Sequence, residues 1–241
     1  MTYLDELIAK HCPDGVPFKT LGEVGKFYGG LSGKSKDDFK DGNAKFITYM
    51  NVFNNIALKV DVPETVKIAP NEKQNTIQFG DVLFTGSSET PDECGMSSVL
   101  TTKTEEKLYL NSFCFGFRFN DPNLVLPDFA KYLFRSESLR KQIKRTASGV
   151  TRFNVSKAKM EKVVIPLPPL EVQGEIVRIL DNFTELTAEL TAELTARQKQ
   201  YEYYRNLLLT FDDAASTIAD RQTDRQTDRQ TDRQTDRQTK R

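Results

Sequence analysis

The chain has 241 residues, 38% hydrophobic and 28% charged, which suits one core of roughly 150–200 residues with an accessory element beside it. Its 34 basic and 34 acidic residues cancel, so the net charge identifies no partner. Three widely spaced cysteines, and no apolar run of roughly 18–20 residues, argue against a disulfide framework, a zinc site and a membrane span. We therefore expect a cytoplasmic protein without a metal of its own.

Residues 1–165 have the pattern of a mixed α/β domain. A short amphipathic segment at Leu4–Lys10 predicts a helix, and a second helix is predicted over Asp128–Lys144. Strand-like runs lie between them, separated by turn-forming Gly, Asn, Asp and Pro. The predicted strands are Ala44–Asn51, Gly80–Thr85, Met96–Thr101 and Ser112–Phe119. We therefore predict an α+β fold, in which a mixed α/β domain is followed by a long helix.

A glycine-rich segment at Gly29–Ser35 is similar to a phosphate-binding loop but does not match it. The first glycine of that motif would occupy the position of Tyr28. The segment therefore predicts a loop that presents Lys34 and Lys36 to solvent or to a nucleic-acid backbone.

A loose match to a metal-dependent nuclease motif places Asp92 before Glu105 and Lys107. Such sites hold Mg²⁺ between two carboxylates and place a lysine near the attacking water. The match is short, and Asp92 lies in a loop rich in Ser, Thr, Pro and Glu rather than on a strand. A Mg²⁺-dependent nuclease is therefore an alternative function.

Positive charge is concentrated late in the first domain. Ser138–Met160 contains seven Lys and Arg residues and no acidic residue. Such a run is either a solvated helix face or a surface that neutralises phosphates. The sequence leaves both interpretations open.

A long helix is predicted from Leu170 to about Phe211, because no proline follows Pro169 in this segment. Its apolar residues recur about every three and a half residues, as in the seam of a coiled coil. A seam of this length needs a second long helix to cover it, either from another molecule or from a missing half. The predicted seam residues are Val172, Ile176, Ile179, Phe183, Leu186, Leu190, Leu194, Tyr201, Tyr204 and Leu208.

Two short repeats lie within and after this helix. Thr-Ala-Glu-Leu occupies residues 187–190 and 191–194, and Asp-Arg-Gln-Thr occurs five times between Asp220 and Thr239. The second repeat has no apolar residue, so a disordered tail is predicted over residues 214–241. A repeated GACA tetranucleotide would encode it, and slippage in that tract would shift the downstream reading frame. Synonymous codons that break the GACA period would contradict this hypothesis of phase variation.

Several segments together resemble the specificity subunits of type I restriction-modification systems. They are Gly80–Thr90, the run from Leu139 through Ser148–Asn154, and Val164–Gln173. The Thr-Ala-Glu-Leu repeat and Arg197–Leu209 resemble the conserved spacer helix of that family. The resemblance covers nearly all of residues 1–213, and the ordered succession is more specific than any single motif.

The resemblance implies a target-recognition domain over residues 1–165 and a spacer helix over residues 166–213. Family members have two such units in tandem, whereas this sequence has one, so we expect two half-subunits to pair and read a bipartite DNA target. It also implies a non-catalytic role with no cofactor in this chain. Adenine methylation with S-adenosylmethionine, and restriction with ATP and Mg²⁺, are expected of the partner methyltransferase and restriction subunits.

The expected DNA contacts are polar residues on loops beside strands and residues of the acid-free segment. Such side chains read base edges or bind phosphates. They are Lys34, Lys36, Tyr49, Asn51, Ser87, Ser88, Lys144, Arg145, Thr151, Arg152 and Asn154. One extra Thr-Ala-Glu-Leu would lengthen the helix by about 6 Å, or roughly two base pairs. A coiled-coil adaptor whose α/β domain binds protein is a further alternative.

Overall fold

The computed structural model describes residues 2–210, so the predicted disordered tail lies outside the described residues. The chain divides into two compact units, the first ending at Asp181 and the second beginning at Asn182. The helices are α1 (Tyr3–His11), α2 (Leu21–Val24), α3 (Tyr49–Asn54), α4 (Pro127–Leu133), α5 (Glu137–Thr146), α6 (Lys157–Met160) and α7 (Leu170–Leu209), with a short 3-10 helix at Lys36–Phe39. Among residues 2–210, no helix has the length and apolar character needed to cross a membrane.

The strands form several small sheets in the first unit. They are β1 (Phe18–Thr20), β2 (Gly25–Gly29), β3 (Ala44–Ile47), β4 (Thr65–Val66), β5 (Thr76–Ile77), β6 (Val82–Thr85), β7 (Ser87–Ser88), β8 (Ser97–Val99), β9 (Leu108–Leu110), β10 (Cys114–Phe119), β11 (Ala147–Ser148), β12 (Phe153–Val155) and β13 (Val164–Pro166). The strand orders are β2-β10-β6-β8, β4-β3-β9-β5, β11-β12-β7 and β1-β13. Within these sheets only β3 and β9 pair in parallel. The expected α+β class is confirmed.

Strand β6 is buried on both faces of the central sheet. Val82 and Phe84 point into a core that includes residues of α4 and α5. Leu83, on the opposite face, joins a second core with residues of α3 and β9. Because side chains alternate along a strand, one short apolar segment holds two cores together.

An ion pair between the partly exposed Arg118 and the buried Asp81 closes the turn that leads into β6. The Asp81 carboxylate is 1% exposed and accepts two hydrogen bonds from Arg118, at 2.8 and 2.6 Å. The Tyr28 hydroxyl donates to the same carboxylate at 2.6 Å, and the Gln78 amide donates at 2.7 Å. A side chain at Gly116 would overlap the Tyr28 ring, so glycine is required where that ring crosses β10.

Two of the predicted elements were wrong in part. The strand predicted over Ala44–Asn51 ends at Ile47, because the Thr48 side chain accepts from the Asn51 amide and caps α3. The helix predicted over Asp128–Lys144 is two helices, α4 and α5. Ser136 caps the second one by accepting from the Leu139 amide.

The first turns of α7 belong to the first unit, where polar contacts fix them. Gln173 is fully buried, accepts from the Leu126 amide at 2.8 Å, and donates to the carbonyl oxygens of Leu124 and Pro168. Asp181 accepts from the Lys131 ammonium and the Tyr132 hydroxyl of α4. The side chains that fix the start of α7 thus lie after residue 165, where we expected the domain to end. The first unit therefore includes the first turns of the helix.

We expect Asp81→Asn to lower the free energy of unfolding by about 1–3 kcal/mol, because it leaves Arg118 without its counter-charge while solvent still reaches part of the guanidinium. Urea denaturation followed by circular dichroism measures this loss. Asp61→Asn, at an exposed position, is the matched control and should change stability by less than about 0.5 kcal/mol. Equal stability of the two variants would contradict a stabilising role for the ion pair.

Candidate functional site

An open cleft of about 940 Å³ brings together four separate segments of the first unit. We call it the Ser87 cleft. Five of the expected DNA contacts line it: Tyr49, Ser87, Ser88, Thr151 and Arg152. Its other lining residues are Met50, Phe53, Glu89, Glu93, Phe113 and Val150.

The floor of the Ser87 cleft is β7, which follows directly from the buried strand β6. Gly86 joins the two strands, and its amide donates to the carbonyl oxygen of Phe113 at 2.8 Å. A Cβ at Gly86 would lie 2.7 Å from that oxygen, so a side chain would displace the Phe113 turn. Gly86 therefore fixes the floor and the adjoining turn together.

The N-terminal end of α3 forms one wall of the cleft. The Tyr49 hydroxyl donates to the carbonyl oxygen of Ser87 at 2.9 Å. At the other end of α3, the Arg135 guanidinium donates to the carbonyl oxygens of Val52 and Phe53, at 3.2 and 2.9 Å. A helix leaves these last carbonyl oxygens without a backbone partner. Burial lowers the pKa of Arg135 to about 10, so the guanidinium stays charged at neutral pH.

Arg152, another residue of the cleft, lies in the loop between β11 and β12. Its Nε donates to the Ser87 hydroxyl at 3.1 Å, and its guanidinium carbon is 5.8 Å from the centre of the Phe113 ring. No acceptor among residues 2–210 binds its two Nη atoms. Ser87 and Phe113 therefore position a guanidinium whose outer edge is available to a ligand.

The sequence did not single out the apolar and acidic residues of the cleft. Met50, Phe113 and Val150 are large hydrophobic side chains left exposed, and Glu89 and Glu93 are carboxylates beside them. One sequence signal was available: Asn111 stands two residues before Phe113, and asparagine favours turns. In the structure the Phe113 amide donates to the Asn111 side chain at 2.8 Å, which places this aromatic residue in such a turn. The other four residues were brought together only by the fold.

Several expected DNA contacts lie outside the cleft. Lys34 pairs with Glu72 at 2.6 Å with 9% of its side chain exposed, and this contact lowers the pKa of Glu72 to about 2. Asn51 is buried and bonds to the backbone of Lys59 at both ends of its amide. Lys36 is exposed on the 3-10 helix. Lys34 and Asn51 thus have partners within the domain.

The acid-free segment does not form one continuous basic surface. Arg140 is buried and donates to the carbonyl oxygens of Asp92 and Cys94, at 3.0 and 2.7 Å. Lys144 pairs with the Asp92 carboxylate at 2.6 Å and lowers its pKa. Arg145 and Asn154 are exposed. The phosphate-binding interpretation is therefore wrong for Arg140, which ties a loop to α5.

The nuclease residues are not assembled into a metal site. Asp92 is paired with Lys144 of α5, whereas the neighbour of Glu105 and Lys107, Glu106, pairs with Lys45 of β3. In the described part of the chain, no group of three or more His, Cys, Asp or Glu side chains could hold a metal ion. This geometry gives no support to the Mg²⁺-dependent nuclease hypothesis.

The predicted helix seam divides into a covered and an open part. Val172 is buried, Ile176 packs against the main core and Ile179 is partly buried, all within the first unit. The remaining seam residues are exposed large hydrophobics: Phe183, Leu186, Leu190, Leu194, Tyr201, Tyr204 and Leu208. Val172 and Ile176 therefore serve the domain core, and the surface open to a partner helix begins at Phe183.

Comparison with known proteins identifies one family. The model of the type I restriction modification DNA specificity domain matches residues 13–197. The type I restriction enzyme EcoR124I/EcoR124II specificity subunit of Escherichia coli is 55% identical over 210 residues, covering 81% of this chain and 48% of that subunit. The chain therefore spans about half the length of this relative.

Solved structures share the fold at low sequence identity. A chain from a type I R-M system, solved to describe its complex assembly and conformational transition, superposes with a TM-score of 0.56 and 20% identity, covering 86% of this chain and 50% of that one. The HsdS subunit from Thermoanaerobacter tengcongensis gives a TM-score of 0.50 and 21% identity, covering 79% and 44%. Both likenesses concern the fold alone.

We expect Arg135→Ala to release the C-terminal end of α3 and loosen the wall that carries Tyr49. Loss of hydrogen bonds from a charged, partly buried donor should lower the free energy of unfolding by about 2–4 kcal/mol. Hydrogen exchange of the amides of residues 52–55 should accelerate at the same time. Arg145→Ala removes an exposed cation from α5 and is the control; equal exchange rates in the two variants would refute the role of Arg135.

Proposed function

Because the chain belongs to the type I restriction-modification DNA specificity family, we propose that it is a DNA-reading subunit that directs other subunits to their target. The observation that carries this proposal is the family match over residues 13–197, which includes the Ser87 cleft and the start of α7. The first unit would bind one half of a bipartite site. The exposed part of α7 would set the distance to the other half.

The proposed role is recognition without catalysis. The chain would hold neither S-adenosylmethionine nor ATP nor Mg²⁺; those would belong to a methyltransferase subunit and a restriction subunit that it positions on DNA. The Arg152 guanidinium supports binding of DNA, because its outer edge has no partner among the described residues. Phosphate contacts of this kind position a protein on the duplex.

We propose further that α7 pairs with the same helix of a second copy, in the antiparallel direction. The seam pattern is nearly symmetric about the point between Thr195 and Ala196. Two pairs of seam residues are equidistant from that point: Phe183 with Leu208, and Leu190 with Tyr201. Leu186 and Tyr204 match within one residue. A pattern that reads alike in both directions favours a two-fold contact of the helix with itself.

Charge also favours the antiparallel direction. Residues 182–196 contain three acidic and no basic side chains, whereas residues 197–210 contain three basic and one acidic. Antiparallel pairing places the acidic half of one helix against the basic half of the other, and parallel pairing would place like charges together. Arg197, which pairs with Glu193 at 2.8 Å within one helix, would lie one residue away from the level of Glu193 of the second copy.

Methylation mapping tests the proposed function. The full chain is co-expressed with its methyltransferase subunit, and methylated adenines are mapped across the host genome. A split motif with two identical half-sites would support recognition by two paired copies. No new methylation in the presence of folded protein would contradict the proposal, and loss of DNA affinity altogether would favour the protein-binding adaptor.

We expect deletion of residues 191–194 to shorten the unread gap of that motif without changing either half-site. The deletion removes about 6 Å of helix, which corresponds to at most roughly two base pairs along the duplex. Thr191→Ser keeps the helix length and serves as the control. An unchanged gap in the deletion variant would show that α7 does not set the spacing.

We expect Arg152→Ala to weaken DNA binding about tenfold and to reduce the salt dependence of the binding constant by about one released counterion. Fluorescence anisotropy at several salt concentrations measures both effects. Lys73→Ala, at an exposed lysine outside the cleft, should leave them unchanged. A salt dependence equal to that of the unsubstituted protein would remove Arg152 from the phosphate contacts.

We expect the double change Leu190→Lys and Leu194→Lys to convert a dimer to a monomer in sedimentation velocity experiments. Lysine preserves helix propensity, but each new charge would replace an apolar seam residue and would face the basic half of the other helix. Ala188→Lys, on the opposite face of the helix, is the matched control and should remain dimeric. An unsubstituted chain that stays monomeric at micromolar concentration would refute self-pairing.

A further inference from the structure

The Ser87 cleft has an unusual composition for a surface that meets DNA. Of its charged residues, Glu89 and Glu93 are acidic and only Arg152 is basic. A surface that bound phosphates alone would carry Lys and Arg, because carboxylates repel the DNA backbone. The two carboxylates therefore need a different explanation.

The cleft also concentrates exposed apolar surface. Met50, Phe113 and Val150 are 54%, 58% and 91% exposed, and all three line it. Exposed apolar side chains that cluster, rather than occurring singly, mark a binding surface. On DNA, the apolar group they can meet in the major groove is the methyl group of thymine.

The two carboxylates differ in their freedom to bind a ligand. Glu93 accepts from the hydroxyls of Ser88 and Thr90, at 3.2 and 2.9 Å, so it is already engaged. Glu89 is exposed and has no hydrogen bond or ion pair with any described residue. A free carboxylate next to apolar side chains can accept a hydrogen bond from an exocyclic amino group of cytosine or adenine.

Resting on the DNA-reading function, we propose that the Ser87 cleft reads base edges in the major groove rather than the phosphate backbone. Glu89 accepts a hydrogen bond from the amino group of one base, and Phe113, with Met50 and Val150, contacts the methyl group of a neighbouring thymine. Arg152 holds a phosphate beside them and offsets the negative charge of the cleft. Glu89 and Phe113 are thus specificity-determining residues.

The test selects preferred duplexes from a random DNA library, using the full chain with its methyltransferase subunit. Glu89→Gln should lose affinity for the selected sequence about tenfold, change the preference at one base pair, and leave the salt dependence unaltered. If Glu89 only repelled phosphates, the same change would tighten binding to every sequence. Glu64→Gln, at an exposed glutamate outside the cleft, is the matched control.

The apolar contact is tested with modified DNA. The thymines of the selected site are replaced one at a time by uracil, which lacks the methyl group. We expect the replacement at one position to weaken binding and the others to leave the affinity unchanged. Phe113→Ser should bind the thymine and uracil duplexes equally, with an unchanged thermal transition because the ring is exposed.

The outcomes separate this inference from the proposed function. A defined motif that survives Glu89→Gln and uracil replacement without loss of affinity would overturn base reading by the cleft, while DNA recognition by the chain would stand. Selection of no motif by the unsubstituted protein would overturn both.

Discussion

The arrangement of the first unit depends on one strand that is buried on both faces. Val82 and Phe84 belong to one core and Leu83 to another, so β6 cannot shift by one residue without placing every side chain in the wrong core. The floor of the Ser87 cleft is the continuation of this strand. Apolar packing of β6 therefore fixes the position of the short polar segment at Ser87 and Ser88, because that segment follows β6 directly. A rigid core holds the polar surface in place.

Buried guanidinium groups extend that scaffold to the loops. Arg135 binds the carbonyl oxygens at the end of α3, and Arg140 binds those of the loop that follows β7. Both are desolvated, and burial lowers the pKa of each. Their guanidinium N–H groups donate to backbone carbonyl oxygens that would otherwise lack partners, so donors and acceptors are satisfied together. Arg135 and Arg140 therefore hold the segments around the cleft in shape, while the outer edge of Arg152 has no partner among the described residues.

The long helix combines two surfaces with different functions. Its first turns are fixed by Gln173 and Asp181, whose polar contacts reach residues of the first unit. From Phe183 onward the apolar residues are exposed, and an acidic half precedes a basic half along the helix. The Thr-Ala-Glu-Leu repeats lie in this second part, where added residues lengthen the helix without disturbing the domain core. The hydroxyls of Thr187, Thr191 and Thr195 each donate to the carbonyl oxygen four residues earlier, so they need no partner outside their own helix.

The sequence by itself determined the features that depend on local pattern: the α+β class, the helix that follows Pro169, its apolar seam and most of the central strands. Periodicity and proline placement are local properties, and they predict elements without knowledge of the fold. The sequence also determined the family, through the order of its motifs.

Only the tertiary structure decided which polar residues are available. Lys34, Asn51 and Lys144 look alike as exposed candidates in the sequence, yet each is bound within the domain. Met50, Glu89, Phe113 and Val150 come from distant segments and share no pattern, and they meet because β6, α3 and two turns converge at the Ser87 cleft. Burial and partner choice depend on contacts between residues far apart in the chain, which no local pattern contains.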